Sequence, residues 1–374
     1  MKIAILSRVI FLSGVTTHLI DLSNEFIKRG HEVFLFTRGP EYPESQALVD
    51  LYNIFNEIGV TIINISYPLN SKSKLKYLVE LFFSSFQTNK MLKKLKIEVI
   101  HVHTPALSII LKIFNKKFIK TTHVKGLSLS FLNQKATHEI AISREIYNES
   151  VKLFNYTPNE ISLIFNGVNS NFSKLVSNQE KKILKNKFKI PSDKIIIGIV
   201  GSIDFRKGHD VLLKSIASLN KKLLNNIHII VLGSGLPKGE IWLKELIIKY
   251  SFQNLITKFD FQKPKQFYDM MDIFVLPSRL EGFPLVSIEA MLSGCCVVRS
   301  KTEGAFDQMI DLETGCLFKS EDYIELNYIL KDLIVDVKKR ISIASKGREY
   351  AINNFTSNIM AEKTLRVYEE LIKK

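Results

Sequence analysis

Two stretches of this 374-residue chain repeat one order of apolar and polar positions. "KIAILSRVIFLSGVTTHLIDLSNEFIKRGHEVFLFTRG" opens the first half, and "KIIIGIVGSIDFRKGHDVLLKSIASLNKKLLNNIHIIVLGSG" opens the second. Each reads as an Ile/Val-rich strand, a glycine-containing loop, an amphipathic helix, a turn and another apolar strand. Continuous apolar strands alternating with helices predict parallel sheets covered on both faces. Two such openings predict an α/β chain of two doubly wound domains. The polar, Lys-rich stretch 168–192 is expected to hold the join, giving domains of 1–170 and 171–356.

Polar residues gather where the strands end. Gly14 follows the first strand, His103 ends "VIHVH" and His123 ends "FIKTTH". Gly201 and Ser202 close "IIIGIVGS", and Glu281 follows "DIFVLPSR". Open parallel sheets bind ligands beyond the carboxyl ends of their strands, so these residues predict one cleft between two sheets. The stretch "SRLEGFPLVSIEAMLSGC", 278–295, adds a helix with Pro284 in its first turn and Gly294 at C′. Glu289 falls on the edge of the Leu285, Ile288 and Leu292 stripe. A carboxylate half-sunk there needs a hydrogen-bonding partner or a raised pKa.

Hydrophobic residues make up 46% of the chain and charged residues 24%, enough to bury two cores. No apolar run approaches eighteen residues, and Met1 leads straight into a strand, so neither a membrane span nor a secretory signal is expected. Cys295, Cys296 and Cys316 form no C-x-x-C, which argues against disulfides or a cysteine zinc site and fits a reducing cytosol. The formal charge of +15 is uneven: residues 71–135 hold thirteen lysines against Glu80 and Glu98 alone. Within 71–96, Leu75, Leu78, Val79, Phe82 and Phe86 form one helical stripe, widened by Leu81 and Phe83. Lys72, Lys74, Lys76, Lys90, Lys93 and Lys94 flank it. Two readings fit: a basic amphipathic helix lying on an anionic membrane, or a core-packed helix with a solvated lysine face. Nucleic acid is not expected, since no reading motif accompanies the lysines. A dinucleotide cofactor is not expected either, because neither glycine loop has G-x-G-x-x-G order.

The motifs "RGHEV", "IHVHTP", "TTHVKG", "IFNGVN", "GSIDFRKGHDVLLKSI", "VLGSG" and "PSRLEGFPLVSIEAM" run along nearly the whole chain. With Glu281 and Glu289 in E-x7-E spacing, they resemble the retaining GT-B glycosyltransferases of family four. That resemblance implies two Rossmann-like domains facing across a cleft, acceptor on the first and donor on the second. It also implies a last helix, about 357–374, that crosses back to the first domain. The implied activity is transfer from a nucleotide sugar, a UDP-sugar, to a glycan or lipid-linked acceptor of envelope polysaccharide or lipopolysaccharide synthesis. Such an enzyme would be cytoplasmic and peripheral on the inner face of the membrane.

The resemblance also implies roles. Glu281 and His123 would face the transferred sugar, and Glu289 the ribose. Lys207, Arg206, Gly14, Phe283, Pro284 and Leu285 would hold the diphosphate, with Gly201 and Ser202 in the donor loop. His18 and His103 would lie on the acceptor side. The chain departs from the family at Ser202, where an arginine is usual and Arg206 stands nearby, and at Asp307, where a glutamate is usual. No D-x-D is present, so no metal and no cofactor are expected. Growing charge on the leaving group would meet Lys207, Arg206 and a helix N-terminus. Front-face attack is favoured, and a covalent intermediate stays open. So do a sugar phosphorylase, a nucleotide-sugar epimerase and an inactive transferase-like or basic binding protein.

Overall fold

A computed structural model describes residues 1–68, 73–126 and 132–373. The chain folds as two compact units, Met1–Gly167 with Ser357–Lys374, and Val168–Thr356.

The first unit is built on seven parallel strands: β1 (Lys2–Leu6), β2 (Glu32–Thr37), β3 (Thr61–Asn64), β4 (Val99–Val102), β5 (Ile119–Thr122), β6 (His138–Ala141) and β7 (Ile161–Leu163). They lie in the order β3-β2-β1-β4-β5-β6-β7. The helix Gly14–Lys28 starts on Ser13, whose side chain accepts the Thr16 N–H, and turns Leu19, Leu22 and Phe26 into the core. The last helix, Ser357–Lys373, adds Met360, Ala361, Leu365, Val367 and Tyr368 to that same core. Lys120, one of the thirteen lysines of the basic segment, is not on the surface. It is fully buried in β5, with its ammonium 3.1 Å from buried Glu139.

The helix Lys74–Lys94 belongs to this unit, capped by the Ser73 hydroxyl. Its apolar stripe faces outward: Leu75 is 73% exposed and Phe83 67%, and Leu78, Val79, Phe82 and Phe86 are exposed with them. The buried face instead carries Leu81, Ser84, Ser85, Thr88 and Leu92. Leu81 therefore leaves the arc that the sequence assigned it to, and the core-packed reading of the stripe is overturned. Ser84 and Ser85 can be buried because both hydroxyls donate to the Leu81 carbonyl, while Thr88 donates to the Tyr67 hydroxyl.

The second unit carries β8 (Ile195–Val200), β9 (Ile227–Leu232), β10 (Ile256–Phe259), β11 (Ile273–Leu276), β12 (Cys296–Ser300) and β13 (Cys316–Phe318). These too are parallel, in the order β10-β9-β8-β11-β12-β13. The polar stretch 168–192 folds within this unit, forming the helix Asn178–Lys187 on a Ser177–Glu180 capping box. Strand order reverses between β1 and β4 in one sheet and between β8 and β11 in the other. Each unit thus offers a crevice at the carboxyl ends of those strands.

Candidate active site

The second unit builds its crevice from the turn after β8. Gly201 has φ +148, and the Lys207 side chain runs 3.4 Å from where a Cβ would stand. Residues Phe205–Lys207 make a 3₁₀ turn, with the Asp204 carboxylate accepting the Lys207 N–H at 3.2 Å. Gly208 follows at φ +72, and a Cβ there would lie 2.1 Å from the Pro277 carbonyl oxygen. Only glycine lets the turn close against the end of β11. Arg279 fastens the turn: its guanidinium donates to Asp210 at 3.0 and 2.8 Å and lies 3.7 Å from the Phe205 ring centre. Its backbone N–H donates to the Arg206 carbonyl at 2.8 Å.

The result is a convergence of charge. The Lys207 ammonium stands 2.6 Å from Glu281 Oε1, and the Arg206 guanidinium 3.8 Å from the same oxygen. Arg206 also donates to the Leu280 carbonyl at 3.2 Å. The Lys207 and Glu281 side chains are 12% and 8% exposed, so this pair is largely out of water. Ser202 donates to Asp204 at 2.5 Å and holds the loop rather than offering charge. Arg279 and Asp210, which fix the whole arrangement, escaped the sequence reading, although Arg279 lies two residues before Glu281.

Next comes the helix Leu285–Leu292. Pro284 stands one position earlier than expected, as the N-cap, and Gly294 takes C′ with φ +83. Phe283, Pro284 and Leu285 are buried around this start. The turn at 302–308 closes over it, since a Cβ on Gly304 (φ +68) would meet the Gly282 carbonyl at 2.4 Å. The Gln308 amide donates to the Pro284 carbonyl at 2.9 Å, and fully buried Arg299 donates in turn to Gln308. Arg299 also donates to Thr302 at 2.9 Å and to the Glu303 carbonyl at 3.0 Å. Asp307 is buried in the short helix Ala305–Gln308. Glu289 is buried as well, and its carboxylate accepts the Tyr268 hydroxyl at 2.8 Å. Burial and that carboxylate hold the Tyr268 hydroxyl well above the usual phenol range.

In the first unit, exposed Gly14 opens the helix after β1 and has no positive φ. His103 follows β4 and His123 follows the adjacent β5. His103 Nδ1 and His123 Nε2 are 3.0 Å apart, and the His18 ring lies 5.4 and 4.9 Å, centre to centre, from those two rings. The three histidines, given different sides by the sequence reading, form one cluster. Burial lowers the pKa of His18 to about 4 and those of His103 and His123 well below the usual value, so all three are neutral near pH 7. His101 packs against the His103 ring, 4.0 Å between centres. It is itself bonded to the Tyr368 hydroxyl at 2.6 Å and to Thr121 at 2.7 Å.

Comparison with known proteins agrees unit by unit. The model of "Glycosyltransferase Family 4" matches residues 12–172, and that of "Glycosyl transferases group 1" matches 180–350. The capsular polysaccharide biosynthesis glycosyltransferase CapM of Staphylococcus aureus is 28% identical over 273 residues, 70% of this chain and 71% of that protein. Among solved structures, a glycosyltransferase from Rickettsia africae superposes with a TM-score of 0.83 at 21% identity, covering 100% of this chain and 99% of that one. Anabaena Alr3699/HepE in complex with UDP-glucose gives 0.83 at 18% identity, with 100% of each chain covered.

Proposed function

The chain belongs to the family-four glycosyltransferases of the GT-B fold, and from that premise we propose that it transfers a sugar, with retention at the anomeric carbon, from a UDP-sugar to an envelope glycan or lipid-linked acceptor. The observation that carries the proposal is the convergence of Lys207 and Arg206 on Glu281 at the switch point of the second sheet. The choice of UDP is supported by the bound nucleotide of the Anabaena protein, and the envelope acceptor by the capsular relative.

In this reading the bond from the anomeric carbon to the β-phosphate oxygen breaks, and its electron pair passes to the diphosphate. Lys207 meets that charge as a compact cation and Arg206 as a fork able to grip two oxygens. The backbone N–H groups of Phe283 and Leu285, either side of Pro284 at the start of a helix, supply further fixed positive charge, so the step requires no metal. Glu289 accepts from the ribose hydroxyls beside Tyr268. Glu281 faces the sugar and favours positive charge at the anomeric carbon. His123, neutral, bonds a sugar hydroxyl. The acceptor oxygen attacks from the face that the diphosphate leaves, and its proton goes to the departing phosphate oxygen.

The outward apolar stripe of the helix Lys74–Lys94 supports a second element of the proposal. With Lys76, Lys90, Lys93 and Lys94 along the helix, the stripe suits an anionic bilayer that presents a lipid-linked acceptor.

The test is a panel of nucleotide sugars, read first by thermal shift and then by transfer to lipid-linked glycan. UDP-sugars should raise the melting temperature, and chelator should leave transfer unchanged. Glu281→Ala, Glu289→Ala and Lys207→Ala should each lower turnover by about two powers of ten, on the order of 3 kcal/mol of transition-state stabilisation. Wild-type turnover in the Glu281 and Lys207 variants would sink the assignment, and phosphate-dependent release of sugar phosphate would replace it with phosphorolysis.

A further inference from the structure

We infer that His18, His103 and His123 form a binding site for one divalent transition metal of the zinc and cobalt class. The three side chains come from three separate elements: the first helix, the end of β4 and the end of β5. One ring nitrogen from each lies within 4.8 Å of the others, and the nearest pair is 3.0 Å apart. Zinc held by imidazoles at about 2.0–2.1 Å in a tetrahedron sets its nitrogens about 3.3 Å from one another. Small ring rotations therefore convert this cluster into a three-nitrogen ligand set.

The chemistry of the donors fits the same ion. A metal ligand must be a neutral imidazole, and burial keeps all three rings in that form. Neither ring nitrogen of buried His18 makes a well-formed hydrogen bond, which costs stability unless something takes its lone pair or proton. No carboxylate or thiol belongs to the set, and purely imidazole ligation suits zinc, cobalt, nickel and copper over magnesium or calcium. His123, at the end of β5, is the most exposed of the three residues. His101, next to His103, already has both its nitrogens engaged by Tyr368 and Thr121, and this leaves three ligands rather than four.

The sequence concealed the site. Positions 18, 103 and 123 have no ligand spacing, and the expectation of a metal-free protein rested on the missing D-x-D and C-x-x-C. The inference shares His123 with the transferase reading, in which that ring bonds a sugar hydroxyl, but it needs neither the transfer nor its diphosphate cations, which lie in the second unit.

The experiment uses the full chain, with any purification tag removed and bound metal stripped by EDTA, titrated with Co²⁺ and then Zn²⁺. One equivalent of Co²⁺ should develop the intense visible absorption of a four-coordinate nitrogen site, and one equivalent of Zn²⁺ should bleach it. His18→Gln and His103→Gln should each weaken binding more than about tenfold, the least that loss of even an outer-shell partner costs. His31→Gln, outside the cluster, should bind as the wild type does. Circular dichroism checks that the variants fold. Should they not, imidazole NMR of the wild type decides, with Zn²⁺ expected to shift three histidine rings together. Cobalt that keeps the weak spectrum of its six-coordinate aqua ion, wild-type affinity in both variants, or no shifted rings would overturn the site. Sugar transfer is not read in any arm, so the failure of either reading leaves the other standing.

Discussion

His209 begins the helix that follows Gly208, directly behind the cationic turn, and its ring meets Trp242 edge-on at 6.2 Å between centres. Burial lowers its pKa to about 4, helped by Lys207 and opposed by Asp204 and Asp210. In the unfolded chain the same ring titrates near 6.5. Above that value both states leave it neutral, so its contribution is complete there. As the pH falls from about 6.5 to about 4, only the unfolded state gains a proton, and stability drops. The loss is on the order of 3 kcal/mol across that window, with no further change below it. His209→Met should remove this component. Urea unfolding at about pH 7 and about pH 4.5 should show a smaller acid penalty in the variant than in the wild type. Equal penalties would mean that His209 protonates freely in the folded protein.

At the scale of elements, the helix Lys74–Lys94 has its outward face already made. Phe82 packs on Phe83 and Phe86 at 5.8 and 4.8 Å between ring centres, and Phe86 meets Phe114 at 5.2 Å. These rings form a ridge, with Ile113 exposed on the neighbouring short helix. Phe82→Ser with Phe83→Ser should leave the fold intact, because neither ring is in the core. The pair should lower partitioning onto vesicles containing anionic lipid by about 2 kcal/mol, roughly thirtyfold, from the apolar area no longer withdrawn from water. Sedimentation with vesicles measures this, and added salt should weaken wild-type binding. Equal partitioning of variant and wild type would remove the bilayer from the proposal.

That helix also marks where sequence reasoning reached its limit. The strands were legible because Ile/Val runs leave a buried parallel strand few alternatives, and "RKG" with Glu281 was legible from its place after strands. Which face of 74–94 lies inward was not, since small hydroxyl residues satisfy themselves locally at Leu81 and so pass for a surface. The Tyr268 partner of Glu289 lies 21 residues away and the Arg299–Gln308–Pro284 chain crosses three elements. Contacts of that kind follow from register and packing, which periodicity does not encode.

At the scale of the whole molecule, the chain's last helix decides whether the first unit folds. The path leaves the first unit at residue 167, builds the second, and returns at Ser357. The return is apolar and specific: Tyr368 is fully buried, lies 5.5 Å from the Phe26 ring and is hydrogen-bonded to His101 under the histidine cluster. At the other end of the helix the Ser357 hydroxyl donates to buried Glu25, and Arg29 reaches Asn358. A chain ended after Thr356 would expose the facing sides of Leu19, Leu22 and Phe26. Losing several large core side chains, each worth about 2–5 kcal/mol, exceeds the whole stability of about 5–15 kcal/mol that a domain commands. The second unit has its own core, a buried cluster running from Ile197 to Ala344. Calorimetry of the truncated protein should therefore show one cooperative transition of roughly half the wild-type enthalpy, since enthalpy scales with the residues that unfold. Limited proteolysis should digest 1–167 and spare 168–356. The milder Tyr368→Phe, which removes only the hydroxyl, should lower the melting of the first unit while leaving the second unchanged. Loss of both units together on truncation would mean that they fold as one cooperative body.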